Sequence, residues 1–200
     1  MVSIAILLLA AGQSSRMGGR DKLLERINGE TLLHRQARRA LKLGVPVYVT
    51  LPLSTETPDR WTELADMDLT SVQVANARDG MGTSIAAGAA ALDPAVTGVA
   101  VLPADMPDVT TFDLETLRIE TAKNENKVHR ATTADGRPGH PVYFPKRLFP
   151  KLMSLSGDDG ARRILKTEQV VGVPIQGDHA LTDLDTPDAW AAWRAVNGCD

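Results

Sequence analysis

The chain has 200 residues, 43% of them hydrophobic, enough to bury one full core as a single domain spanning 1–200. A net charge of −3 and a pI of about 5.8 exclude a protein-wide basic surface for nucleic acid or anionic membrane, so any anion site is local. The single cysteine, Cys199, excludes an internal disulfide and a cysteine metal cluster, and suits a reducing cytoplasm.

The apolar run over 4–11 is too short to cross a bilayer and no Lys or Arg precedes it, so it reads as a buried strand over 3–9 rather than a secretory signal. "LLLAAGQSSRMGGRDK" then joins that strand to a loop of small residues. Gly12, Gly18 and Gly19 let the backbone approach a phosphate, and Arg16, Arg20 and Lys22 add charge in an acidic chain. A Walker A motif is absent, because Lys22 follows Asp21 and precedes Leu23, and so is the dinucleotide fingerprint. A solvated surface loop is the competing reading.

Further along, residues 31–43 place Leu32, Leu33, Gln36, Ala37, Ala40 and Leu41 on one helical face, with Gly44 as the stop. Strands are expected over 45–51, 72–75 and 99–102, and a parallel α/β sheet follows from their alternation with helices. Thr57-Pro58 and Thr186-Pro187 each read as an N-cap with proline at the first helical position. Residues 83–92, "TSIAAGAAAL", form a small-residue helix whose Gly88 serves close packing. After Val128, two strand-like runs around Asp135-Gly136 predict a hairpin outside the parallel sheet, and helices are expected over 146–153 and 159–166.

A triphosphate arrives with Mg²⁺, which takes one or two carboxylates at the ends of rigid elements. Asp105 follows the strand in "VAVLPADMPD", at the carboxyl edge where α/β sheets bind ligands. Asp183 and Asp185 alternate around Leu184 and point the same way if extended. Each has a plain alternative: Asp105 and Asp108 cap turns, and Asp185 supports a helix N-terminus. His34, His129 and His179 lack zinc-like spacing, and Trp61, Trp190 and Trp193 read as packing residues.

The motifs "LLLAAGQSSRMGGRDKLL", "DGMGTSIAAG", "AVLPADMP", "GRPGHPVYF", "LSGDDGARRIL" and "LTDLDTPDAW" together resemble the MobA-like nucleotidyltransferases, most closely the molybdenum cofactor cytidylyltransferases, over nearly the whole chain. The resemblance implies a Rossmann-like α/β fold, a mostly parallel sheet flanked by helices. It implies transfer of a nucleotidyl group from an NTP, CTP favoured, to the phosphate of a molybdopterin-type acceptor, with Mg²⁺ or Mn²⁺ as cofactor. A molybdoenzyme or its chaperone would be a transient partner.

By that likeness Arg16 and Lys22 contact phosphate oxygens, while Leu9, Ala10, Ala11 and Gly12 face base and ribose with Gly80, Met81, Gly82 and Ser84. Asp105 and one of Asp183 and Asp185 hold the metal. Arg137, Gly139, His140 and Pro141 lie on the acceptor side, against the alternative of a packing histidine and a solvated arginine. Asp158 and Asp159 are assigned to helix initiation, with Arg162 and Arg163 as surface or substrate-side residues. The family's usual Gly-Asp-x-Pro appears here with Ala104 before Asp105. A GTP-dependent guanylyltransferase, a sugar-phosphate or other small-phosphate nucleotidyltransferase, and a non-catalytic cofactor carrier are the competing functions.

Overall fold

β1 (Ile4–Leu9) is apolar at every position because both its faces are covered, as expected of a central parallel strand. Ile4, Ile6 and Leu8 face one helical layer, and Ala5 and Leu7 face the other. The computed structural model describes residues 3–198; Cys199 lies outside the described residues.

In chain order there follow β2 (Arg26–Ile27), β3 (Glu30–Thr31), α1 (Leu32–Leu41), β4 (Val47–Leu51), α2 (Pro58–Glu63), β5 (Thr70–Gln73), α3 (Met81–Ala90) and β6 (Gly98–Pro103). The rest is α4 (Thr111–Lys123), β7 (Val128–Thr132), β8 (Pro138–Pro145), α5 (Phe149–Met153), α6 (Arg162–Thr167), β9 (Val170–Pro174) and α7 (Pro187–Asn197). The central sheet runs β5-β4-β1-β6-β8-β7-β9, parallel except for β8. It is the expected Rossmann-like α/β arrangement. No helix among the described residues is long and apolar enough to cross a membrane.

One core layer holds Leu32, Leu33 and Ala37 of α1, Leu114 and Leu117 of α4, and Trp190 of α7. The other holds Ile85 of α3, Phe149 and Leu152 of α5, and Ile164 of α6. Gly88 does serve close packing, since a Cβ there would fall 2.4 Å from Leu7 Cδ1. Trp61 and Trp193 pack at the rim of the first layer and donate their indole N–H groups to the Pro52 carbonyl and Asp108.

Several elements depart from expectation. The Asp135-Gly136 turn forms, but its hairpin is not outside the sheet: β8 inserts antiparallel between β6 and β7. Val142, Tyr143 and Phe144 are buried there, and that burial requires a place in the core sheet. The separate two-stranded sheet is instead β2-β3. β5 begins two residues earlier than expected, as a half-polar edge strand. α4 and β9 have no counterpart in the sequence reading. α4 is amphipathic only weakly and is set by a capping box between Thr110 and Asp113.

β1 lies between β4 and β6, so the chain winds outward through β5 and returns to the other side of its first strand. Leu9 and Pro103 are paired at the carboxyl ends of β1 and β6. This is the topological switch point, where the connections part and a crevice opens.

Candidate active site

Residues 10–22 turn through left-handed backbone at Ser14 (φ 53°) and Gly18 (φ 62°). Ser14 is held there through its hydroxyl, which donates to Asp21 Oδ1 (3.2 Å) and accepts from the Lys22 N–H (3.1 Å). Met17, buried under the loop, anchors it to the core. The N–H groups of Ala11, Gly12 and Gln13 have no acceptor among the described residues, a backbone disposition that suits an anion.

The end of the loop delivers Lys22 between two carboxylates. Its Nζ donates to Asp105 and to Asp185 Oδ1 (2.5 Å), and Arg16 Nη2 reaches Asp185 Oδ2 (2.5 Å). The backbone locks the same residues together: Ala104 N–H donates to the Leu9 carbonyl (3.0 Å), and Leu184 N–H to the Asp105 carbonyl (3.1 Å). Burial pushes the Lys22 pKa down, but the attraction and hydrogen bonds of Asp105 and Asp185 outweigh it, so the ammonium is held above its usual range. Burial likewise raises Asp185, and its bonds to Lys22 and Arg16 reverse this, leaving the carboxyl below its usual range. Asp183 is raised, by burial first and then by the charges of Asp185 and Asp105.

The donor set fits a hard divalent cation. Asp105 Oδ1 is buried with no hydrogen-bond partner among the described residues, and the neighbouring carboxylates repel one another. No group of three or more His, Cys, Asp or Glu among the described residues forms a complete metal cage.

The opposite wall is the N-terminus of α3. Gly80 (φ 105°) and Gly82 press against the segment 156–158: a Cβ on Gly82 would lie 2.7 Å from the Ser156 carbonyl oxygen, and the Gly82 N–H donates to the Gly157 carbonyl (2.8 Å). The cleft between the walls encloses about 370 Å³. Ten of the expected residues line it: Leu9, Ala11, Gly12, Arg16, Lys22, Gly80, Met81, Ser84, Asp105 and Asp185. Ala10 and Gly82 are buried behind its walls, and Asp183 is outside its lining.

Arg137, Gly139, His140 and Pro141, expected on the acceptor side, lie apart from this lining. His140 N–H donates to the Ala180 carbonyl (2.9 Å), against which Gly139 packs so closely that no side chain fits. Burial pushes the His140 pKa down to about 4, Arg130 adding to the effect and Asp105 opposing it. Its Nδ1 is buried without a partner among the described residues. Arg137 is exposed and occupied by carboxylates, Asp135 (3.0 Å) and Asp178 (2.5 Å).

Residues 6–173 match the family described as the MobA-like NTP transferase domain. The chain belongs to this family. Among its relatives are the purine catabolism protein PucB of Bacillus subtilis, 28% identical over 91% of each chain, and a probable molybdenum cofactor guanylyltransferase of Synechococcus elongatus, 27% identical over 96% of this chain and 98% of the relative. Rv0371c of Mycobacterium tuberculosis superposes with a TM-score of 0.79 at 26% identity, covering 96% of this chain and 98% of that one. A further structure of Rv0371c is a complex with manganese, with a TM-score of 0.76 at 24% identity over 96% and 97% of the two chains.

In this MobA-like chain the cleft also takes in Asp158 and Arg78. Asp158 lines it and does not start a helix, since α6 begins at Arg162 with Ala161 at its cap, and Arg78 stands at its rim, bonded to Glu56 (3.2 Å). Asp158 follows Gly157, whose positive φ marks a sharp turn, and that glycine was the available signal. Arg78 carried none.

Proposed function

We propose that the protein transfers CMP from CTP to the phosphate of a molybdopterin-type acceptor and releases pyrophosphate. The observation that carries this reading is the meeting of Lys22 and Arg16 with Asp105 and Asp185 at the switch point of the sheet, beside N–H groups that lack acceptors among the described residues. The molybdopterin acceptor draws support from the motif resemblance and from the relative named as a molybdenum cofactor guanylyltransferase.

An acceptor phosphate oxygen attacks the α-phosphorus in line, the bond to the β-phosphate breaks, and its electron pair leaves with pyrophosphate. Both reactants are anions, so the site needs positioned cations more than a strong base. Arg16 and Lys22 stabilise the departing charge, and the N–H groups of Ala11 and Gly12 orient the phosphates. Mg²⁺, or Mn²⁺ in its place, held by Asp105 with Asp185 or Asp183, would neutralise the charge between acceptor and α-phosphate. Arg137, Gly139, His140 and Pro141 are assigned to the acceptor side, His140 as a neutral ring. The reading also places the protein in the cytoplasm, in transient contact with a molybdoenzyme or its chaperone.

A GTP-dependent reaction is the second reading, favoured by the same relative's name; "LAAGQSSRMG" and "GHPV" favour CTP by resemblance. A carrier without catalysis has no need of Asp105 and Asp185 around a cation. Pyrophosphate release with molybdopterin and Mg²⁺, scanned over CTP, GTP, UTP and ATP, tests all three. Release with CTP alone is expected, release with GTP alone transfers the reading to guanylyl transfer, and release with none overturns the enzyme.

A further inference from the structure

Arg60 is nearly fully buried, at 1% exposure, on a short helix where Asp59 and Thr62 face water and Glu63 is half-buried against the Thr31 hydroxyl. A guanidinium in that position needs partners in every direction. All of them belong to the loop of residues 10–22. Nε and Nη2 donate to the two oxygens of Asp21 (2.6 and 2.8 Å), Nη1 donates to the Ala10 carbonyl (2.6 Å), and Nη2 reaches Ser14 Oγ (3.3 Å).

Two consequences follow from bond geometry. A trans peptide is planar, so its C=O and the next N–H point in opposite directions. Arg60 holds the Ala10 carbonyl, and this turns the Ala11 N–H away from Arg60, toward the cleft that Ala11 lines. In addition, Ser14 Oγ holds the Lys22 N–H, and Asp21 Oδ1 holds both Ser14 Oγ and the Leu23 N–H (3.0 Å). Arg60 is therefore one bond removed from the backbone that carries Lys22 into the site, and it braces the left-handed Ser14.

We infer that Arg60 is the positioning residue of the nucleotide loop: it sets the direction of the Ala11 N–H and the register of Lys22 without touching the substrate. The inference rests on the proposed nucleotide reading of the cleft. Lysine cannot replace it, since a single ammonium does not span Asp21, Ser14 and the Ala10 carbonyl together.

The test compares wild type with Arg60→Lys, Arg60→Met and Asp21→Asn, each first checked for a cooperative thermal melt. Titration with CTP and GTP in Mg²⁺ is expected to show nucleotide affinity at least tenfold weaker in every variant that folds, with the KM for the acceptor unchanged. Wild-type affinity in a folded Arg60→Lys or Asp21→Asn overturns the inference, and those two variants decide the matter if Arg60→Met does not fold. Hydrogen exchange of the nucleotide-free protein separates this failure from failure of the nucleotide reading. Faster exchange confined to residues 11–23 supports the brace even if no nucleotide binds, whereas unchanged or uniformly faster exchange overturns it.

Discussion

Lys22 holds the two acids of the cleft together. It is the cation between Asp105 and Asp185, with 12% of its side chain exposed, so removing it leaves two half-buried carboxylates facing each other. Lys22→Met is expected to cost roughly 2 kcal/mol of stability, below the figure for a fully buried pair because water reaches both acids. Adding Asp185→Asn should restore part of that stability and none of the nucleotide affinity. A double variant no more stable than Lys22→Met would show that repulsion is not the cause. Asp105→Asn is expected to lower kcat by about a hundredfold or more, the scale of a lost electrostatic contact to the transition state, with thermal stability little changed. Single-turnover pyrophosphate release measures the first and a melt the second. Asp105 and Lys22 were legible in the sequence because each follows a pattern: an acid just past an apolar strand, and a cation in a glycine-bearing loop. Arg60 was not, because nothing in "PDRWTE" says which polar residue turns inward.

The elements that form the site are two ends of one sheet edge and the first turn of α3. That turn depends on contact with the segment 156–158, since Gly82 has backbone within 3 Å of where a Cβ would stand. Backbone cannot rotate aside as a side chain can, so Gly82→Ala should displace the segment that carries Asp158. The expected loss is about 1–3 kcal/mol, the usual range for overpacking, with weaker nucleotide binding. Gly12→Ala meets nothing within 4 Å and serves as the stability control; an equal drop in melting temperature for both would rule out the contact as the cause. The central elements were readable because continuous apolar runs, caps and Gly44 punctuate them. The insertion of β8 was not: a hairpin's turn chemistry reports its two strands and says nothing of the third strand it pairs with. α4 was hidden for another reason, since its Leu114 and Leu117 lie among Glu115, Arg118, Glu120 and Lys123 and only its cap residues announce it.

At the scale of the whole molecule, His140 and Glu30 carry the two largest acid-range shifts. His140 is held neutral, its pKa pushed down to about 4 by burial first and then by Arg130. The unfolded chain, with an ordinary histidine near 6.5, then binds more protons, so stability falls as pH drops from about 6.5 to 4 and levels off below. Full linkage over that interval sets an upper bound of about 3 kcal/mol. Glu30 acts in the next window: hydrogen bonds from Arg38, then from His34, hold its carboxyl at about 2 against an ordinary 4.5. Its contribution is complete above 4.5 and is lost toward pH 2; with 22% of the side chain exposed it is worth about 1–2 kcal/mol after solvent screening. Denaturant unfolding between pH 2 and 7 should therefore lose stability in two successive steps. His140→Gln is expected to shrink the upper step, leaving the share of His129, whose pKa burial also lowers, while Glu30→Gln shrinks the lower one, to which the lowered carboxyls of Asp185 and Glu168 also contribute. If His140→Gln left the slope between pH 6.5 and 4 unchanged, His140 would not be the neutral ring that the acceptor-side assignment requires.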